Sequence, residues 1–130
     1  LKVSLKNENG AKTVYFPDGT TFNVTSHLSK LDPGDYQLGV RCMNIGLKPF
    51  NENDIKISGE VDLAEISGSE TFIHVKHENV RVVSQSEGAH PRHIGDRIDI
   101  FFNHDFIYAF DMEGILVLAP DRNGSNSPQS

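Results

Sequence analysis

Apolar residues in this chain recur at every second position in short runs, and turn-forming residues separate the runs. Leu1, Val3 and Leu5 form the first alternating set, and Pro17-Asp18-Gly19 places a tight turn between two later runs. Apolar residues at helical spacing are nearly absent. Because side chains of a β-strand alternate between two faces, this pattern predicts about nine short strands, each with one buried face.

The clearest strand signal lies in the middle of the chain. Ile55, Ile57, Val61 and Leu63 share one parity, and Gly59 among them allows a bend or a close approach of another backbone. A Ser-Gly-Ser turn then leads into a returning strand. We predict that six alternating residues of this region face a common core: Val61, Leu63, Ile73, Val75, Ile98 and Ile100.

Length and composition fit one domain with one core. The chain has 130 residues, of which 37% are hydrophobic, and globular domains cluster at about 100–150 residues. Short strands in this number avoid exposed edges by curling into a barrel. The pattern therefore predicts an all-β fold over residues 1–119, an OB-like β-barrel with additional strands, with a two-sheet β-sandwich as the alternative. Residues 120–130, rich in Asn, Ser, Gly and Pro, are predicted to form a disordered tail.

Charge and cysteine content exclude several classes of protein. The chain has 12 Lys and Arg against 18 Asp and Glu, a net charge of −6 with His neutral. Nucleic-acid binding relies on cations that neutralise phosphates, so this balance argues against a nucleic-acid partner. The single cysteine excludes an internal disulfide framework. No apolar run approaches the roughly 18 residues that cross a bilayer, and Leu1 is not an initiator Met. We expect a soluble, intracellular fragment of a longer protein.

No catalytic or phosphate-binding motif stands in the sequence. The patterns GxxxxGK[ST], GxGxxG, GxSxG, HExxH and CxxC are all absent, so we predict a chain that is not an enzyme, does not bind ATP and holds no cofactor. Two HxxH pairs invite a metal site. However, His74 and His77 point to opposite faces if they lie on a strand, and His90 and His93 lack a nearby third ligand. Solvated surface histidines are the favoured interpretation, with no metal site.

Three glutamates and the single cysteine could also suggest catalysis, but each has a simpler explanation. Glu60, Glu65 and Glu70 flank a turn, but nothing near them supplies the apolar pocket that would separate the pKa values of an acid–base pair. A polar outer sheet face or a contact patch is the favoured interpretation. Cys42 follows Arg41 and could be an activated thiolate, but a buried small hydrophobic residue is the simpler expectation.

Three segments, in order, resemble the C-terminal transport-associated domain of ATP-binding subunits of carbohydrate ABC importers, the maltose and glycerol-3-phosphate type. Residues 58–75 read SGEVDLAEISGSETFIHV and match the family's GxVxxxExxGxExxxHV segment. Residues 36–41, YQLGVR, look like its YxLGIR strand. Residues 95–100, GDRIDI, and 106–111, FIYAFD, look like its GDxVxL and HLFD ending. The resemblance covers residues 1–118.

Two positions depart from the family pattern. After Arg41 the family usually has Pro-Glu-His, and this chain has Cys42-Met43-Asn44. Near the end, His-Leu-Phe-Asp becomes Tyr108-Ala109-Phe110-Asp111. These departures bear on the substrate subclass more than on the fold.

The resemblance implies a non-catalytic regulatory and dimerisation domain of an ABC importer for sugars or related polyols. A separate, preceding nucleotide-binding domain would bind ATP and Mg. The implied partners are a second copy of the ATPase subunit, the membrane subunits of the transporter and, in some members, a regulatory protein. The implied location is the cytoplasmic face of the inner membrane. Related modules in molybdate systems bind oxyanions, so an oxyanion or small-molecule sensor is the alternative, although their Ser-Ala-Arg-Asn-like opening is absent here.

The best-matched segment also supplies the candidate contact residues. Glu65, Gly68 and Glu70 lie on the predicted hairpin, where polar side chains occupy the outer face. Paired carboxylates at a turn contribute little to a core. We therefore predict that this hairpin, together with Arg41, forms part of a polar contact surface with a second copy or a neighbouring domain. A solvated turn is the simpler interpretation.

Overall fold

The computed structural model describes residues 1–121, and nearly all of their regular structure is β-strand. The helices in these residues are short 3-10 turns at His27–Lys30, Cys42–Asn44 and His104–Phe106, and none is long and apolar enough to cross a membrane. The all-β prediction is confirmed. Of the predicted tail, residues 122–130 lie outside the described part. The strands of residues 1–121 are β1 (Lys2–Glu8), β2 (Ala11–Tyr15), β3 (Thr21–Asn23), β4 (Gly34–Gly39), β5 (Ile45–Gly46), β6 (Ile55–Ser67), β7 (Glu70–His77), β8 (Val80–Glu87), β9 (Arg97–Phe102), β10 (Tyr108–Phe110) and β11 (Leu116–Leu118).

The chain divides into two compact units, and the first unit contains a six-stranded antiparallel sheet. Among the described residues it comprises Leu1–Gly39 and residues 104–121, with strand order β11-β10-β4-β1-β2-β3. The predicted turn between β2 and β3 forms at Gly19, whose φ of +94° is a conformation that glycine adopts without strain. The buried apolar residues of this unit are Val3, Leu5, Val14, Phe16, Leu28, Leu31, Leu38, Ile107 and Ala109.

The second unit, Val40–Asn103, is a five-stranded antiparallel sheet curled into a nearly closed barrel. Its strand order is β5-β9-β6-β7-β8. The two edge strands meet where the Ser84 hydroxyl on β8 donates to the Ile45 carbonyl on β5 over 2.6 Å. This arrangement confirms the prediction of an OB-like barrel. The buried apolar residues inside it are Ile45, Ile55, Ile57, Val61, Ile73, Val75, Val82, Ile100 and Phe102.

The long strand β6 joins two parts of the barrel. Its first half pairs with β9 and its second half with β7. Gly59 lies where the halves meet, and a Cβ there would overlap the Val75 side chain and stand 2.7 Å from the Lys76 carbonyl oxygen. The close backbone approach expected at Gly59 is therefore confirmed.

A β-bulge corrects one of the predicted core positions. Val61 lies opposite Val75, but Leu63 lies opposite His74, so Asp62 is an extra residue in β6. The bulge shifts the alternation by one residue and turns Leu63 outward, where it is 38% exposed. The prediction that Leu63 faces the core is therefore wrong. The other predicted residues lie on the inner face, four fully buried and Ile98 partly: Val61, Ile73, Val75, Ile100 and Ile98.

Two histidines are buried, contrary to the expectation of solvated surface histidines. The His27 Nε2 lies 2.7 Å from the Ile107 carbonyl oxygen, and the His77 Nδ1 lies 2.7 Å from that of Ser58. A carbonyl oxygen only accepts, so each of these ring nitrogens carries a proton. The hydrogen bond offsets the cost of removing the ring from water. The predicted opposite orientation of His74 and His77 is confirmed, since only His77 faces the core.

Candidate functional site

The predicted contact hairpin consists of β6, a tight turn and β7. Ser67 pairs with Glu70 across the turn, and Gly68 between them has a φ of +61°. This left-handed conformation is costly for residues with a Cβ, which explains a glycine at this position. Gly68 is exposed and contributes the shape of the turn rather than a side chain.

The bulge at Asp62 turns Glu65 to the outer face of the sheet, where Glu70 of β7 also lies. Glu65 lies opposite Phe72, and Glu70 lies opposite Ser67, so the two glutamates occupy diagonal positions on one face. Glu70 also lies opposite Glu87 on β8. We call the outward side chains at this end of β6, β7 and β8 the hairpin face: Leu63, Glu65, Glu70, Phe72, His74, Val83, Gln85 and Glu87.

His74 belongs to this face, and the sequence suggested for it only membership of an HxxH pair, not a contact with Glu65. Its Nε2 lies 3.3 Å from the Glu65 Oε1, and its side chain is only 19% exposed. The His74 Nδ1 has no hydrogen-bond partner among the described residues. The hairpin register places the two side chains together, and the matched segment that contains both residues is the signal from which the pair could have been inferred.

A chain of hydrogen bonds links the hairpin face to the segment that carries Arg41. The Gln85 Nε2 donates to the Glu70 Oε1 over 3.0 Å, and the Cys42 Sγ donates to the Gln85 Oε1 over 3.1 Å. Cys42 opens the 3-10 turn that follows Arg41, whose carbonyl accepts from the Asn44 N–H. Cys42 is therefore half-buried and hydrogen-bonded, which corrects the expectation of a buried apolar residue.

The four predicted contact residues all belong to the second unit, but they are not equally close. Glu65, Gly68 and Glu70 share one hairpin, whereas Arg41 is connected to it through Cys42 and Gln85.

Charge is unevenly distributed along the outer face of these strands. The end near the turn carries the carboxylates of Glu65, Glu70 and Glu87 without a lysine or arginine on the same face. Farther from the turn, Arg81 pairs with Asp62, and Lys76 lies opposite Glu60. The hairpin face is therefore acidic, and positive charge on a partner surface would complement it. Within residues 1–121, no three His, Cys, Asp or Glu side chains converge as metal ligands would.

The segments that resemble the importer family pair with one another within each unit. In the first unit, Leu38 lies opposite Ala109, and Gly39 leaves room for the Phe110 ring, which a Cβ would approach to 3.1 Å. In the second unit, the Gly95 N–H donates to the Val61 carbonyl, and the Val61 N–H donates to the Asp96 carbonyl, each over 2.8 Å. Residues of the matched segments therefore contact one another across neighbouring strands and loops.

Comparison with known proteins assigns no family to this chain. No protein-family model matches it, and no curated protein matches it either.

Proposed function

We propose that this chain is a non-catalytic regulatory and dimerisation domain of the ATP-binding subunit of an ABC importer for sugars or related polyols. The observation that carries the proposal is the mutual pairing of the segments that resemble this family. Residues 36–41 and 106–111 form adjacent strands, and residues 58–75 pair with residues 95–100. A fold shared with that family would require the matched segments to be neighbours, and this pairing supports the proposal.

The hairpin face has the composition of a weak, reversible interface. Leu63, Phe72 and Val83 give it an apolar centre that is partly exposed, and the acidic side chains lie beside them. Interfaces that bury less than about 1,200 Å² tend to be transient. In the intact subunit, the nucleotide-binding domains would add contact area to the pairing of two copies.

The remaining partners and the location follow from the same proposal. The parent subunit would bind ATP and Mg in its nucleotide-binding domain and dock on the membrane subunits at the cytoplasmic face of the inner membrane. A regulatory protein would act through the domain described here.

Sedimentation equilibrium of the wild-type chain and of a Glu65→Lys/Glu70→Lys variant tests the dimerisation role. We expect weak dimerisation of the wild type. Because positive charge on the partner surface would complement the acidic face, charge reversal should lower the association constant by about fivefold or more. The matched control is Glu52→Lys/Glu113→Lys, which makes the same charge change at two exposed positions outside the hairpin face. A monomeric wild type, or equal association constants for all three proteins, would contradict the role.

The coding sequence upstream of Leu1 tests the assignment to a transporter. We expect a phosphate-binding loop and an ABC signature there, because the proposed parent hydrolyses ATP. An initiator codon directly before Leu1 would contradict the assignment.

Isothermal titration separates the proposal from the oxyanion-sensor alternative. The chain contains no phosphate-binding loop, so we expect no saturable binding of ATP. Saturable binding of molybdate or sulfate would favour the sensor, and saturable ATP binding would contradict both.

A further inference from the structure

A groove of about 600 Å³ crosses the surface of the second unit. One wall is the segment after β5, which contributes Phe50, and Met43 from the preceding 3-10 turn lies beside it. The opposite wall is the end of β8, with Gln85 and Glu87. This volume is typical of sites for small molecules, which measure about 300–1,000 Å³. We call it the Phe50 groove.

The apolar side chains of the Phe50 groove are exposed, and the Phe50 ring is packed against the backbone. Phe50 is 56% exposed and Met43 60%. The Phe50 ring rests against Gly46, where a Cβ would come within 2.8 Å of it. Glycine at position 46 therefore lets the ring lie on the backbone of β5, with much of its surface open to the groove.

A carboxylate holds the loop that carries Phe50. The Phe50 and Asn51 N–H groups both donate to the Asp54 Oδ2, over 2.6 and 3.2 Å. The Asn103 Nδ2 donates to the Asp54 Oδ1 over 3.1 Å. A loop held in this way loses little freedom when a ligand stacks on the Phe50 ring, and such preorganisation favours binding.

Positive charge lies at one end of the groove. Lys48 and Arg92 line both the Phe50 groove and a smaller neighbouring groove, so these two residues lie where the grooves meet. Glu87 lines only the Phe50 groove. Throughout residues 1–121, no carboxylate forms an ion pair with Lys48 or Arg92. Asp99, which lines the neighbouring groove, accepts a hydrogen bond from the Ser58 hydroxyl over 2.6 Å. The Arg92 Nη1 donates to the Pro91 carbonyl oxygen over 3.0 Å, which leaves its charge without a partner in the part of the chain that the structure describes. Two cations that form no ion pair among the described residues therefore line one groove of a chain with a net charge of −6.

We propose that the Phe50 groove binds a small organic anion with a flat apolar body, an aryl carboxylate or aryl phosphate. The ring of the ligand stacks on Phe50 and contacts Met43, and its anionic group lies between Lys48 and Arg92. The groove shares Gln85 and Glu87 with the hairpin face, but the residues that would contact the ligand, Phe50, Met43, Lys48 and Arg92, lie outside that face. This binding therefore goes beyond the dimerisation role and does not depend on it.

An NMR titration of the full chain with 2-naphthoate and 2-naphthyl phosphate tests the proposal, with 2-naphthalenemethanol as the neutral comparator and acetate and inorganic phosphate as anions without a ring. We expect saturable shifts confined to the groove residues for the two aryl anions, and about fivefold weaker binding of the neutral compound. Acetate and inorganic phosphate should not saturate. Either order of the aryl anions supports the proposal, and the tighter one identifies the preferred anionic group.

Two variants separate stacking from charge. Phe50→Ala should weaken binding of the aryl anions and of the neutral compound alike, by about fivefold. Lys48→Gln/Arg92→Gln should weaken only the anions and remove their advantage over the neutral compound. The matched controls, Met112→Ala and Lys2→Gln/Lys56→Gln, change exposed residues outside the groove, and spectral dispersion verifies folding. Absence of saturable binding by the wild type, shifts scattered over the chain, or unchanged affinity in both groove variants would overturn the proposal.

Discussion

The two halves of β6 carry similar apolar residues but have different surroundings. In Ile55–Val61, the apolar side chains face the barrel interior, with Ile57 opposite Ile100 of β9 and Val61 opposite Val75 of β7. In the second half, after the bulge, Leu63 is 38% exposed on the outer face and Ile66 is 54% exposed near the turn. Similar hydrophobicity thus leads to a core in one half and to a surface in the other.

The bulge at Asp62 is the physical origin of this difference. An extra residue in one strand moves every following side chain to the opposite face. It removes Leu63 from the core and places Glu65 on the face that carries Glu70 and His74. One irregularity therefore converts a core strand into one arm of the candidate contact surface.

Truncation of one apolar residue in each half of β6 should give the largest difference in the free energy of unfolding. Ile57 is 1% exposed, so Ile57→Ala should lower the free energy of unfolding by about 2–5 kcal/mol through lost burial and a cavity. Leu63→Ala should cost less than about 1 kcal/mol, because the side chain is partly solvated. Urea denaturation of both variants measures the difference, and equal losses would mean that Leu63 belongs to the core after all.

Alanine substitutions at Gly59 and Gly68 should have intermediate effects on the stability of the chain. Gly59→Ala should destabilise the chain by about 1–3 kcal/mol, because its Cβ would collide with Val75 and with the Lys76 backbone. Gly68→Ala meets no atom within 4 Å, and only its φ of +61° opposes it, at a cost of about 1 kcal/mol. In a Val75→Ala background, Gly59→Ala should cost less but not become neutral, since the Lys76 carbonyl remains. Thermal unfolding of the four variants checks these values, and full rescue would show that the backbone contact is unimportant.

The ion pair at the bulge should have the smallest effect. Asp62 and Arg81 are both partly exposed, and such pairs contribute about 0.2–1 kcal/mol. A double-mutant cycle with Asp62→Ala and Arg81→Ala should therefore give a coupling energy below about 1 kcal/mol. A larger coupling would indicate that the ion pair, rather than the strand register, holds the bulge.

Local patterns in the sequence sufficed for much of the fold. The two-residue alternation predicted about nine strands, whereas residues 1–121 contain eleven, including the two-residue β5. The turn at Gly19 and the close approach at Gly59 follow from the properties of glycine. Glu65 and Glu70 came from a resemblance in one segment, and their diagonal placement on one face depends on the register that the structure shows.

Contacts between residues far apart in the sequence decided the features that local patterns could not predict. Alternation identifies two faces of a strand, but cross-strand pairing determines where a bulge falls and which face is buried, as at Leu63. Burial of His27 requires a carbonyl 80 residues away in the chain. The open ring of Phe50 depends on Gly46 beneath it and on Asp54 and Asn103 around its loop. The sequence by itself determined the local backbone geometry and the order of the strands along the chain, whereas contacts between distant segments determined which side chains are buried and which remain available to a partner or a ligand.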